Sequence, residues 1–241
     1  MLIAAAVCPH PPLLIPAATG APGPGDAELE RLRAACHEAV TALLAERPDL
    51  IAVAGGDPRA GRTAEYPRQA AGGLHDFGVP FTTGPAPPGA PSLPLSLTVG
   101  KWLLSRAAPE HQVPAAWWGI APDAPPAECR RLGERLAGLA PRVALLAMGD
   151  GPARRARAAP LAADPDADRY DDRVARALAA ADPAALAVLD PGQDGPLVIA
   201  GRAAWQVLAG AAGRDAFAAE LRYRGTPFEV SYFVASWRRP T

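Results

Sequence analysis

The chain has little of what several function classes require. Its 241 residues include only three cysteines, Cys8, Cys36 and Cys129. Odd in number, widely spaced and without a CxxC pair, they exclude a disulfide framework and a thiolate zinc or dithiol site, so reduced structural thiols are expected. No excess of either charge is present, with 24 Lys+Arg against 25 Asp+Glu and a net charge of −1. Lacking a basic stripe interleaved with aromatics, the chain has no electrostatic footprint for nucleic acid. No apolar run approaches the roughly 20 residues of a membrane span, so no membrane partner is expected. The opening MLIAAAVC lacks a basic n-region and puts valine where a processing site needs a small residue, which makes a cytoplasmic protein the expectation. Gly55-Gly56 runs into Asp57-Pro58 without GxGxxG spacing or a following helix, which argues against a dinucleotide site. Histidine is scarce too, with four residues, and this limits every metal or acid–base scheme.

The positive signals begin at Leu2. Leu2 to Cys8 is apolar at every position, the pattern of a strand covered on both faces. Pro9 removes a ladder donor and Pro11 restricts the residue before it, so His10 is fixed where that strand stops, the end at which open α/β sheets place ligand crevices. After a Pro/Gly/Ala loop over 17–25, the spacing predicts a helix from Asp26 to about Glu46, with His37 beside its apolar stripe as a surface or packing residue. Leu50 to Ala54 reads as a second buried strand ending at Asp57. Gly61 to Pro94 reads as one long loop, with His75 solvated within it. Leu95 to Ala107 is predicted as a helix, Pro114 to Ile120 as a strand with His111 in the preceding connection, Pro126 to Leu139 as a helix and Arg142 to Met148 as a third buried strand ending at Asp150. Helices are predicted at about Tyr170 to Ala181, Pro183 to Leu189 and Arg202 to Ala212. Strands follow at Glu220 to Arg224 and Phe228 to Trp237, with Phe228, Val230 and Tyr232 on one face as core or interface. No repeat or linker marks a second domain. The expected fold is a single α/β domain over residues 1–241, with a largely parallel central sheet flanked by helices. His10, Asp57 and Asp150 would then share one crevice.

PHPPLLIP, residues 9 to 16 after a first apolar strand, resembles the N-terminal signature of the class III extradiol dioxygenase family, LigB-like and including the Memo-like branch. The resemblance implies that family's fold and an Fe(II) centre for catechol ring opening, with His10 as a metal ligand. At the family's other positions the chain departs from the pattern. Asp57 stands where a second histidine is expected, Gly89 and Ala153 stand at the histidines that serve the catechol, and Ala200, before Gly201-Arg202, stands at the third metal ligand. Alanine and glycine bring no donor atom to such a site.

Two readings follow. In the first, the chain is a non-catalytic relative, a binding or partner subunit with a degenerate metal site and no cofactor, whose crevice of His10, Asp57 and Asp150 takes an aromatic small molecule. In the second, it is an active non-haem metal-dependent oxidoreductase with Fe(II) or another divalent metal on His10 and Asp57, completed by Asp150 or Glu229. A purely structural subunit of a homo- or hetero-oligomer would instead fill the crevice with its own side chains.

Overall fold

The unbroken apolar run at the N-terminus forms β1, Leu2–Cys8, and all seven of its residues are buried. The computed structural model describes residues 1–20, 26–85, 87–107, 114–153 and 165–240. Its other strands are β2 (Leu50–Gly56), β3 (Ala64–Tyr66), β4 (Ala115–Ile120), β5 (Val143–Met148), β6 (Ala218–Gly225) and β7 (Tyr232–Arg238). They form one seven-stranded sheet in the order β3-β4-β2-β5-β1-β7-β6. The four central strands β4, β2, β5 and β1 are parallel. β3 pairs antiparallel at one edge, and β7 and β6 pair antiparallel at the other.

Alternation along β1 explains why it is apolar at every position. Ala5 and Val7 face one hydrophobic core while Ala6 and Cys8 face a second on the other side of the sheet. The second core is covered by α1 (Asp26–Ala45) and α2 (Leu95–Ala107). The first is covered by α3 (Pro126–Ala137), α4 (Pro165–Ala179), α5 (Pro183–Ala187) and α7 (Arg202–Ala212), with the single turn α6 (Asp194–Leu197) before α7. No helix among the described residues is long and apolar enough to cross a membrane.

α7 is buried on all sides, which requires close neighbours. A Cβ built at Gly133 of α3 would lie 2.1 Å from the Val207 carbonyl oxygen, and one at Gly210 of α7 would lie 2.3 Å from the Arg130 carbonyl oxygen. Backbone meets backbone there, a contact that only glycine permits on both helices.

Three expectations are corrected. Residues 61–94 do not form one loop, because β3 and a 3₁₀ turn at His75–Phe77 lie within them. The helix expected from Tyr170 starts at Pro165. The last strand starts at Tyr232, because Pro227–Glu229 is a 3₁₀ turn with Phe228 and Glu229 at φ 57° and 64°. Phe228 is therefore 46% exposed, off the face it was expected to share with the buried Tyr232. His37 and His75 are exposed as expected, and His111 lies outside the described residues.

Candidate functional site

β2, β5 and β1 are neighbours and parallel, so the residues following them emerge side by side at one end of the sheet. A cavity of about 720 Å³ opens there, lined in part by His10, Asp57, Ser96 and Ala200. Its size and mostly apolar lining are those of a small-molecule site, and its position is where open α/β sheets bind ligands.

His10 and Asp150 come together. The His10 backbone N–H donates to Asp150 Oδ1 at 2.7 Å, and His10 Nδ1 lies 3.5 Å from the same oxygen without hydrogen-bond geometry. Only 10% of the His10 side chain is exposed. Asp150 touches His10 but is not among the residues lining the cavity, so it does not share the crevice with His10 and Asp57 as expected, and the backbone beside it is fixed by two glycine contacts. The Cβ of a residue at Gly149 would be 2.5 Å from Gly201 Cα, and one at Gly201 would be 2.8 Å from the Asp150 carbonyl oxygen. The end of β5 thus rests directly on the start of α7, and Ala200 N–H donates to the Asp150 carbonyl at 3.2 Å.

Burial pushes the Asp150 carboxyl above the usual carboxylate range, with His10 as a weaker opposing influence. The native protein therefore keeps a proton that the unfolded chain has already released, and this group's contribution to stability falls as pH rises from the ordinary value through the raised one. Asp150→Asn retains an oxygen for the His10 N–H but cannot ionise. Relative to wild type its melting temperature should rise with pH across that window and show no gain at the acid end. Melts from about pH 3 to pH 8 check this, since carboxylates ordinarily titrate near 4; a difference that does not vary with pH contradicts it.

Asp57 reaches the same cavity with its carboxylate already engaged. Oδ1 accepts from the Arg59 backbone N–H at 3.1 Å and from its Nε at 3.4 Å, and Oδ2 accepts from the Tyr66 hydroxyl. Burial first, and then the Asp57 hydrogen bond, pushes the Tyr66 hydroxyl up to about 12, so it is a donor at neutral pH. β3 carries this tyrosine, and a three-residue edge strand has no periodicity by which sequence could reveal it.

Gly89 and Ala153 have no side-chain donor atom to offer. Gly89 sits in an exposed turn at φ 75°. Ala153 pairs with Val230, and its N–H donates to the Leu197 carbonyl. Glu229 lies in the turn before β7. Among the described residues no group of three or more His, Cys, Asp or Glu could hold a metal ion. The donor set therefore does not fit an iron triad, and the ligand set of the second reading is not assembled. The cavity is open as well, which a purely structural subunit does not require.

A residue pair that sequence reasoning missed also lines the cavity. Arg202, only 2% exposed, bonds Asp194 Oδ2 through Nε at 2.5 Å, and both residues line the cavity. A buried arginine has no periodic signature, so the Gly201-Arg202 step gives no signal in the sequence.

No family model matches the chain, and no curated protein matches it. Among solved structures it is similar to the uncharacterized protein JW3007 from Escherichia coli K12, at 14% identity over 97% of this chain and 99% of that chain, with a TM-score of 0.52. At that identity the likeness concerns the fold alone. The chain is a single-domain α/β protein with a mixed, mostly parallel seven-stranded sheet flanked by helices.

Proposed function

We propose that this chain has the class III extradiol dioxygenase fold and uses the crevice beside His10 to bind a small aromatic molecule without iron-dependent ring cleavage. The observation that carries the reading is the pairing of an open cavity of about 720 Å³ with a single imidazole in its wall. Iron that activates O2 beside a catechol needs two histidines and a carboxylate on one face, with positions left open. Here the second position is Asp57, whose oxygens serve Arg59 and Tyr66, and the third is Ala200. Proton transfer from the catechol would also need a histidine where Ala153 stands. The apolar lining and strand-end position support binding all the same.

The test is oxygen uptake with protocatechuate and simple catechols after Fe(II) is supplied. Uptake should not exceed background. A yellow ring-opened product that disappears in His10→Ala would show that an active centre exists.

A further inference from the structure

Arg202 spends its guanidinium on two separate pieces of chain. Nε bonds Asp194 at 2.5 Å, Nη1 donates to the Ala124 carbonyl at 3.2 Å and to Gln206 Oε1 at 2.7 Å, and Nη2 donates to the Pro122 carbonyl at 3.5 Å. Gln206 is itself fixed by the carbonyls of Ala187 and Leu189. Pro122 and Ala124 belong to the loop between β4 and α3, and Asp194 opens α6. Both segments line the cavity, the first through Ala121, Pro122 and Asp123 and the second through Gly192, Asp194 and Gly195.

We propose that Arg202 is the positioning residue of this cavity, tying the β4–α3 loop to the α6 segment and so holding two parts of its lining in the arrangement that a ligand must fit. The inference rests on the ligand-binding reading above and adds what holds that arrangement. Three of the five guanidinium N–H groups are committed to the two segments and a fourth to Gln206, so Arg202 is not held in reserve for a ligand carboxylate. The α6 segment is strained at its end. It ends at Val198, an exposed β-branched residue at φ 53°, a conformation that such residues rarely adopt. Leu197 and Ile199 pack into the core, so the tether bears on the exposed start of the segment, where a Cβ at Gly195 would meet nothing within 4 Å.

Lysine is the informative substitution. Its ammonium can hold Asp194 as a point charge but lacks the planar fork that also reaches Pro122 and Ala124. Amide hydrogen exchange of the free protein therefore separates the two tethers. Arg202→Lys should speed exchange in 121–124 while leaving 192–199 near wild type. Asp194→Asn should do the reverse, and Arg202→Met should loosen both. The loosened segments should exchange about tenfold faster or more, as expected when one partner of a buried charge pair is lost, with β1 and β5 amides unchanged. Binding of 2-naphthol, followed by tryptophan fluorescence, should weaken about tenfold or more in Arg202→Met, on the same scale.

Uniformly faster exchange across the molecule would show a merely structural role and overturn the proposal. So would unchanged exchange in both segments, or undiminished 2-naphthol affinity once they have loosened. Should wild type bind no 2-naphthol while the segment pattern holds, the ligand-binding reading falls and the positioning role stands. Arg202→Lys and Asp194→Asn keep the test decisive if Arg202→Met does not fold.

Discussion

Gly133→Val should leave little folded protein at 25 °C, and Gly133→Ala should lose about 3 kcal/mol or more, the upper range for forcing extra atoms into a packed interior. The reason is the 2.1 Å between a Cβ at 133 and the Val207 carbonyl oxygen. A flexible side chain could swing aside, but here the obstacle is backbone in a buried helix. Relief would require α3 to move off α7, which opens the core around Trp205, a residue with no exposure. Native domains have only about 5–15 kcal/mol in hand, so the valine variant should fail to accumulate. Gly138→Ala is the control. Its Cβ would meet nothing closer than 3.5 Å, and its φ of −92° suits any residue. It should be neutral or gain about 0.4–1 kcal/mol through the unfolded chain. Urea titration of the three variants decides the matter, and a stable Gly133→Val would place the helix crossing elsewhere.

The second large effect is expected from rebuilding a metal face. One imidazole and one engaged carboxylate leave most of a metal's shell to water, so wild type should hold Fe(II) or Zn(II) weakly and lose it on dialysis. Asp57→His with Ala200→Glu adds an imidazole and a carboxylate at two positions that line the cavity with His10. Two histidines and one carboxylate are the set that suits open-site Fe(II). Affinity should rise on the order of a hundredfold or more, at least the scale on which loss of outer partners alone alters a metal site. Asp57→His also gives up the Tyr66 and Arg59 bonds, so some stability should be lost with it. Anaerobic metal titration reads the result. Tight one-to-one binding by wild type, abolished by His10→Ala, would mean that the existing residues already make a centre.

Much of this architecture is legible in the sequence. α2 and α7 have the bounds that their spacing predicts, and the three buried strands that carry His10, Asp57 and Asp150 lie side by side. Uniform apolarity over strand length is a strong signal because only a doubly covered strand needs it. What escaped reading depends on contacts between distant residues. The Tyr66 bond to Asp57 spans a loop, and the Arg202 fork reaches a carbonyl 80 residues away in sequence. Phe228 alternates correctly with Val230 and Tyr232, yet Pro227 begins a turn that removes it from the strand. Local turn chemistry overrides periodicity over so short a run. Asp57 was placed at the crevice by its position after β2, but that its oxygens are already taken could be seen only once β3 was in place.

The central claim is a cavity that binds an aromatic molecule without a metal. It is tested most directly by calorimetric titration of wild-type protein with catechol, once with a chelator present and once with Fe(II) supplied anaerobically. Saturable one-to-one binding of equal affinity in both titrations, weakened in His10→Ala, is the result this account requires. Binding that appears only with Fe(II), or no saturable binding under either condition, would contradict it.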